Sequence, residues 1–314
     1  MNLYLKILLL FLPLCIQAQF IHNLEFGENP GDLKMSIYLP KNKSAEKIPV
    51  VVALHGCSQN AKSMAWQTGW NTLADKYNFA VLYPEQRRKN NSTNCFNWFE
   101  IDDISENSGE CGSIYNMITY GLREFNLDTQ YVYIYGLSAG AAMSLSMMAI
   151  YPDKFKSGAI YAGVPFKTAT NKKEGFEAVK KEINLSPEEW ASKMEVNSST
   201  VFPQLIVLHG KDDQIVPISY SNEIVEQWAQ VNKISTLPDK VESNFDSNSD
   251  VTRLSYYDKS GKEKIIFYKF ENLRHEVAID TGNGEKQGGN KSVFSKDIDF
   301  FSTYWIAKDF GLIK

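Results

Sequence analysis

Short apolar runs recur along this chain, and several are apolar at every position; Val50-Val51-Val52-Ala53-Leu54 is the clearest. Successive side chains of a strand point to opposite faces, so a run of this kind needs cover on both sides. Similar runs lie at 35–39, 50–55, 80–83, 131–135, 158–162, 205–209 and 265–270. Between them the pattern predicts helices over 63–77, 112–125, 139–150, 220–231 and 293–308. Strands alternating with helices point to an α/β fold with a mostly parallel sheet and helices on both faces. No repeat or proline-rich linker divides the chain, so residues 19–314 read as one domain without a separate binding module. The polar segment 167–200, helical in pattern after Pro187, reads as a cap or insertion. Residues 236–251, rich in Ser, Asn and Asp, read as a surface loop, and 282–290 as a glycine-rich one.

Composition narrows the partners. The 314 residues carry 33 basic and 37 acidic side chains, a formal net charge of -4, which leaves no basic footprint for nucleic acid. Lys6, the apolar run 7–16 and Gln17-Ala18-Gln19 match a secretory leader, with cleavage expected after Ala18. That run is shorter than the roughly 20 residues a membrane span needs. An exported protein with no membrane association after cleavage is therefore expected, secreted to the periplasm or beyond. Removal of residues 1–18 takes Cys15 with it and leaves Cys57, Cys95 and Cys111, an odd number in a compartment that permits a disulfide.

The strongest local signal is Gly136-Leu137-Ser138-Ala139-Gly140, set between the run 131–135 and the helical stretch that follows. Strand, tight turn and helix are the context in which G-x-S-x-G forms a nucleophile elbow, with the serine hydroxyl lifted above the strand end. The next amide, Ala139 N–H, opens the helix and can donate to a developing oxyanion. Serine needs a base, and the base needs an orienting carboxylate. In the α/β-hydrolase order the acid and then the histidine follow the serine. Of His22, His55, His209 and His275, only His275 lies beyond Ser138 with room for an acid between them. It sits in the loop after 265–270. His209 reads as a structural residue ending a buried strand, and His55 as a brace for its loop. The acid should follow 205–209, where Asp212 and Asp213 compete; the spacing Gly-x-x-Asp-x-x-Val favours Asp213, leaving Asp212 free to cap the next helix. The second oxyanion amide should come from Cys57, in the His55-Gly56-Cys57 turn after 50–54. No metal-binding spacing and no phosphate loop is present, so the chemistry calls for no metal and no cofactor.

These motifs, together with Phe26-Gly27-Glu28-Asn29-Pro30-Gly31, Leu54-His55-Gly56-Cys57-Ser58-Gln59, Leu82-Tyr83-Pro84-Glu85-Gln86, Cys95-Phe96-Asn97-Trp98-Phe99 and His275-Glu276-Val277-Ala278, make the chain resemble the poly(3-hydroxybutyrate) depolymerase-like esterases. That family is related to feruloyl and acetylxylan esterases of the α/β-hydrolase superfamily. The resemblance runs from Phe26 to about residue 284 and implies the same triad, Ser138, Asp213 and His275. It also implies that the Cys57 and Cys95 motifs converge near the site, favouring a Cys57–Cys95 bridge over Cys95–Cys111. Trp98 would then wall the acyl pocket, or else serve as a core aromatic. The chain departs from the family pattern at Arg274 and Glu276, which flank the histidine where glycine or alanine is usual, and at Phe96, where tryptophan is usual. The expected function is a secreted serine carboxylic-ester hydrolase working through an acyl-enzyme on short-acyl or aryl esters, such as feruloyl or acetyl groups on polysaccharide fragments. The alternatives are a poly(3-hydroxybutyrate) or oligomer depolymerase, a peptidase and, from another class, a catalytically dead glycan- or polymer-binding protein. A complete triad in the expected order argues against the last.

Overall fold

The computed structural model describes residues 19–41, 46–194 and 200–313; the expected leader lies outside the described residues. Its strands are β1 (Gln19–Leu24), β2 (Lys34–Leu39), β3 (Ile48–Leu54), β4 (Ala80–Glu85), β5 (Leu127–Leu137), β6 (Ser157–Tyr161), β7 (Gln204–Gly210), β8 (Lys240–Ser243), β9 (Val251–Tyr257), β10 (Glu263–Phe270), β11 (Val277–Ile279) and β12 (Ser295–Asp297). The helices are α1 (Ala61–Thr68), α2 (Trp70–Tyr77), α3 (Gly109–Glu124), α4 (Ala139–Ile150), α5 (Lys172–Ala178), α6 (Pro187–Ser192), α7 (Ser219–Asn232) and α8 (Ser302–Asp309).

Ten strands form one sheet in the order β1-β2-β4-β3-β5-β6-β7-β10-β9-β8. From β4 to β10 every neighbouring pair is parallel, and both ends of the sheet are antiparallel. Strand periodicity divides the core in two. Val50, Val52 and Leu54 of β3 join α3, α4 and α7 on one face, while Val51 and Ala53 join α1, α2 and α8 on the other. Leu205 and Val207 against Ile206 and Leu208 repeat that division in β7. Among the described residues, no helix is long and apolar enough to cross a membrane.

Three expectations need correction. The helix expected over 63–77 is two helices, because Gly69 adopts a left-handed conformation (φ 69°) and its N–H returns to Ala65 O at 3.2 Å. The helix expected over 293–308 begins only at Ser302. Ser295–Asp297 instead forms β12, parallel to β11, and Asp299 (φ 56°) turns the chain between the two elements. The loop expected over 236–251 contains β8, a mostly exposed edge strand whose polar side chains hide its extended pairing with β9. The insertion at 167–200 carries α5 and α6, held to α7 by Gln227, whose amide bonds Phe166 N, Phe166 O and Trp190 O at 2.9–3.2 Å.

Candidate active site

Ser138 follows β5 directly and opens α4 with φ 55° and ψ -121°, a backbone conformation that strains any residue bearing a Cβ. The chain can turn this sharply only because its neighbours are small. A Cβ on Gly136 would lie 2.2 Å from Gly140 O, and one on Gly140 would lie 2.5 Å from Leu54 O and His55 O. The elbow therefore packs against the end of β3, the strand that leads into His55-Gly56-Cys57. Among the described residues, neither the Cys57 nor the Ala139 amide donates to a protein acceptor, so both N–H groups are free to receive an oxyanion.

The loops after β7 and β10 are joined by backbone hydrogen bonds, Lys211 N to Phe270 O (2.8 Å) and Asp212 N to Leu273 O (3.1 Å). That pairing brings Asp213 and His275 together: His275 Nδ1 lies 2.7 Å from Asp213 Oδ2. Asp213 Oδ1 accepts the N–H groups of Ile215 (2.8 Å) and Val216 (2.9 Å), a local turn that fixes the carboxylate from the other side. Burial alone would push this carboxyl up. Hydrogen bonds from His209 and His275, with the charge of these rings when protonated, outweigh burial and hold Asp213 well below the carboxylate range. Asp212 is exposed, and neither aspartate caps α7, whose N-cap is Ile218. Tyr161 links the histidine loop to the elbow, its backbone O accepting Ser138 N–H (2.9 Å) and its hydroxyl accepting Ala278 N–H (2.8 Å). Asp213 and His275 are thus hydrogen bonded, whereas Ser138 Oγ makes no hydrogen bond to His275. Such contacts commonly close only with substrate.

A cavity of about 900 Å³ opens beside Ser138. Asn90, Asn91, Ser92, Thr93 and Asn97 give it a polar lining; Trp98, Phe99, Phe176, Val179 and Ile215 give it an apolar one. Trp98 both lines this cavity and packs into the core, edge-on to Phe99 with ring centroids 5.3 Å apart. Phe176, 61% exposed, carries Lys180 Nζ over its ring at 4.0 Å.

Cys57 and Cys95 form a disulfide with Cα atoms 4.1 Å apart, and Cys111 is buried and free. The bridge ties the turn after β3 to the cavity wall across a sequence separation of 38 residues. Replacing both cysteines by serine is expected to lower unfolding free energy by about 2–4 kcal/mol, measured by denaturant melts. A loss below about 1 kcal/mol would mean that packing alone holds the two loops.

Supporting residues were less legible from the sequence. His55, fully buried, donates from Nδ1 to Gly56 O (2.8 Å) and accepts Gln86 N–H at Nε2 (3.1 Å), bracing the loop after β3. Burial pulls its pKa down to about 4, so the ring stays neutral above that pH. Glu110, 1% exposed, accepts Asn97 N–H (2.8 Å) and the Gln86 side-chain amide. Burial and nearby Asp103 push its carboxyl well above the ordinary range. Nothing in its local sequence marks it as a support for the cavity wall. His209, which the sequence presents as a structural residue ending a buried strand, also reaches Asp213 (3.1 Å). The available signal was its position four residues before that aspartate.

The same fold occurs in known proteins. A model of the family described as Esterase PHB depolymerase matches residues 33–239. The chain is similar to poly(3-hydroxyalkanoate) depolymerase C of Paucimonas lemoignei, 34% identical over 291 residues that span 92% of this chain and 69% of that one. It is also similar to feruloyl esterase B of Talaromyces stipitatus, 31% identical over 258 residues, or 79% and 68% of the two chains. Among solved structures, an acetyl xylan esterase from Aspergillus awamori matches with a TM-score of 0.74 at 25% identity, over 82% of this chain and 94% of that one. With its glycine-flanked Ser138 at the end of a central parallel strand, this chain belongs to the Esterase PHB depolymerase family and has the α/β-hydrolase fold.

Proposed function

We propose that the chain is a secreted serine carboxylesterase acting through an acyl-enzyme. Ser138 Oγ attacks the ester carbonyl, His275 takes its proton and later returns it to the leaving alcohol, and Asp213 holds the imidazole by Nδ1–H. The amides of Cys57 and Ala139 receive the oxyanion, and water then hydrolyses the acyl-enzyme. One observation carries the reading: a strained serine elbow lines a cavity while a buried Asp213–His275 pair lies at neighbouring strand ends of the same sheet edge. Export, with residues 1–18 as leader and 19–314 as one catalytic domain, is supported by the Cys57–Cys95 bridge, since such bonds persist in oxidising compartments.

For substrate we propose soluble short-acyl or aryl esters, including acetyl or feruloyl groups on polysaccharide fragments. The asparagine- and serine-lined part of the cavity suits a hydroxylated chain, and Trp98, Phe99 and Phe176 suit an aromatic or small acyl group. The exposed apolar side chains Phe176, Val179 and Ile215 favour a second reading, a polyester or its oligomers. A panel of acetyl and feruloyl esters, p-nitrophenyl palmitate and a polyhydroxybutyrate film separates them. We expect kcat/KM on acetyl or feruloyl esters to exceed that on the palmitate by at least about tenfold, roughly 1.4 kcal/mol in transition-state binding. Equal rates, or clearing of the film, would move the assignment to the depolymerase reading.

A further inference from the structure

We propose that His209 is a positioning residue for the Asp213–His275 pair, holding the carboxylate oxygen that orients the catalytic imidazole. The inference rests on the triad reading above but concerns a side chain that the triad does not include. His209 is the penultimate residue of β7 and fully buried. Its Nε2 lies 2.8 Å from Val216 O and 3.1 Å from Asp213 Oδ2. A carbonyl and a carboxylate only accept, so the proton sits on Nε2. With the proton there, Nδ1 accepts the Ser221 hydroxyl at 2.6 Å, a second bond that holds the ring in place.

The consequence falls on one oxygen. Asp213 Oδ2 receives both His275 Nδ1–H and His209 Nε2–H, while Oδ1 receives the amides of Ile215 and Val216. His209 also bonds Val216 O, tying the turn that carries those amides back to the end of β7. Without it, Oδ2 keeps His275 as its only side-chain donor among the described residues, and the turn loses a bond to the strand. The carboxylate can then drift, and a displacement near 1 Å at a proton-transfer site is enough to cost about 100-fold. His209 does not line the substrate cavity, so the loss belongs in kcat rather than KM.

The test compares His209→Asn with His209→Gln. An asparagine amide can stand in for Nδ1 but falls short of Asp213, whereas a glutamine amide can reach the position of Nε2. We expect His209→Asn to lower kcat by about 10- to 100-fold with KM nearly unchanged, and His209→Gln to stay within about fivefold of wild type. In an Asp213→Asn background, His209→Asn should cause little further loss, because the oxygen it positions is gone. Equal kcat for the two variants, a change confined to KM, or a full additional loss in the Asp213→Asn background would overturn the proposal. If Asp213→Asn itself left kcat intact, the triad reading would fall, and the positioning role with it. Should the His209 variants fail to fold, Ser221→Ala decides. A kcat reduced a few-fold at constant KM supports the role, and wild-type kinetics overturn it.

Discussion

Replacing Ser138 by alanine is expected to lower kcat by about 10⁶-fold, the scale seen when a serine hydrolase loses its nucleophile. Alanine keeps the Cβ and the backbone of the elbow, and the Ser138 hydroxyl has no hydrogen-bond partner among the described residues. Stability should therefore change little, and a thermal melt run beside the assay checks this. Residual turnover of about 10³–10⁴ over water would come from the free Cys57 and Ala139 amides and from binding in the cavity. A folded Ser138→Ala protein retaining a tenth of wild-type kcat would show that the chemistry runs elsewhere.

Asp213→Asn is expected to lower kcat by about 10⁴-fold, the loss this exchange causes in serine proteases. The structure explains why so conservative a change should be severe. The Ile215 and Val216 amides point at Oδ1 and demand an acceptor there, at 2.8 and 2.9 Å. An asparagine must place its oxygen in that position, which turns its NH₂ group toward His275 Nδ1. The imidazole must then accept at Nδ1 and carry its proton on Nε2, so it meets Ser138 as a donor instead of a base. Asp212→Asn, on an exposed side chain in the same turn, should cost far less. Initial rates of the two variants at saturating substrate check the ranking, and the reverse order would transfer the acid to Asp212.

Strands β3, β6, β7 and β10 were legible because burial on both faces leaves continuous apolar text. The edge strands β1 and β8 were not, because a half-exposed strand needs few apolar residues and its identity comes from the partner it pairs with. For the same reason the residues of β12 read as the start of a helix. Its pairing with β11 is a contact between segments distant in sequence, and local periodicity carries no record of it.

The site divides along a similar line. Ser138, Asp213 and His275 stand in motifs whose residue types suit a nucleophile, an acid and a base and whose order is that of the α/β-hydrolase fold, so the sequence alone singled out these residues and that fold class. Only the tertiary structure decided which distant groups meet: that the loops after β7 and β10 join to bury Asp213 against His275, that Cys57 and Cys95 close on each other, and that His209 shares Asp213 Oδ2. Backbone propensity and side-chain type act over a few residues and are written locally. The distance between two loop ends depends on sheet order and strand register, which the packing of the whole chain sets.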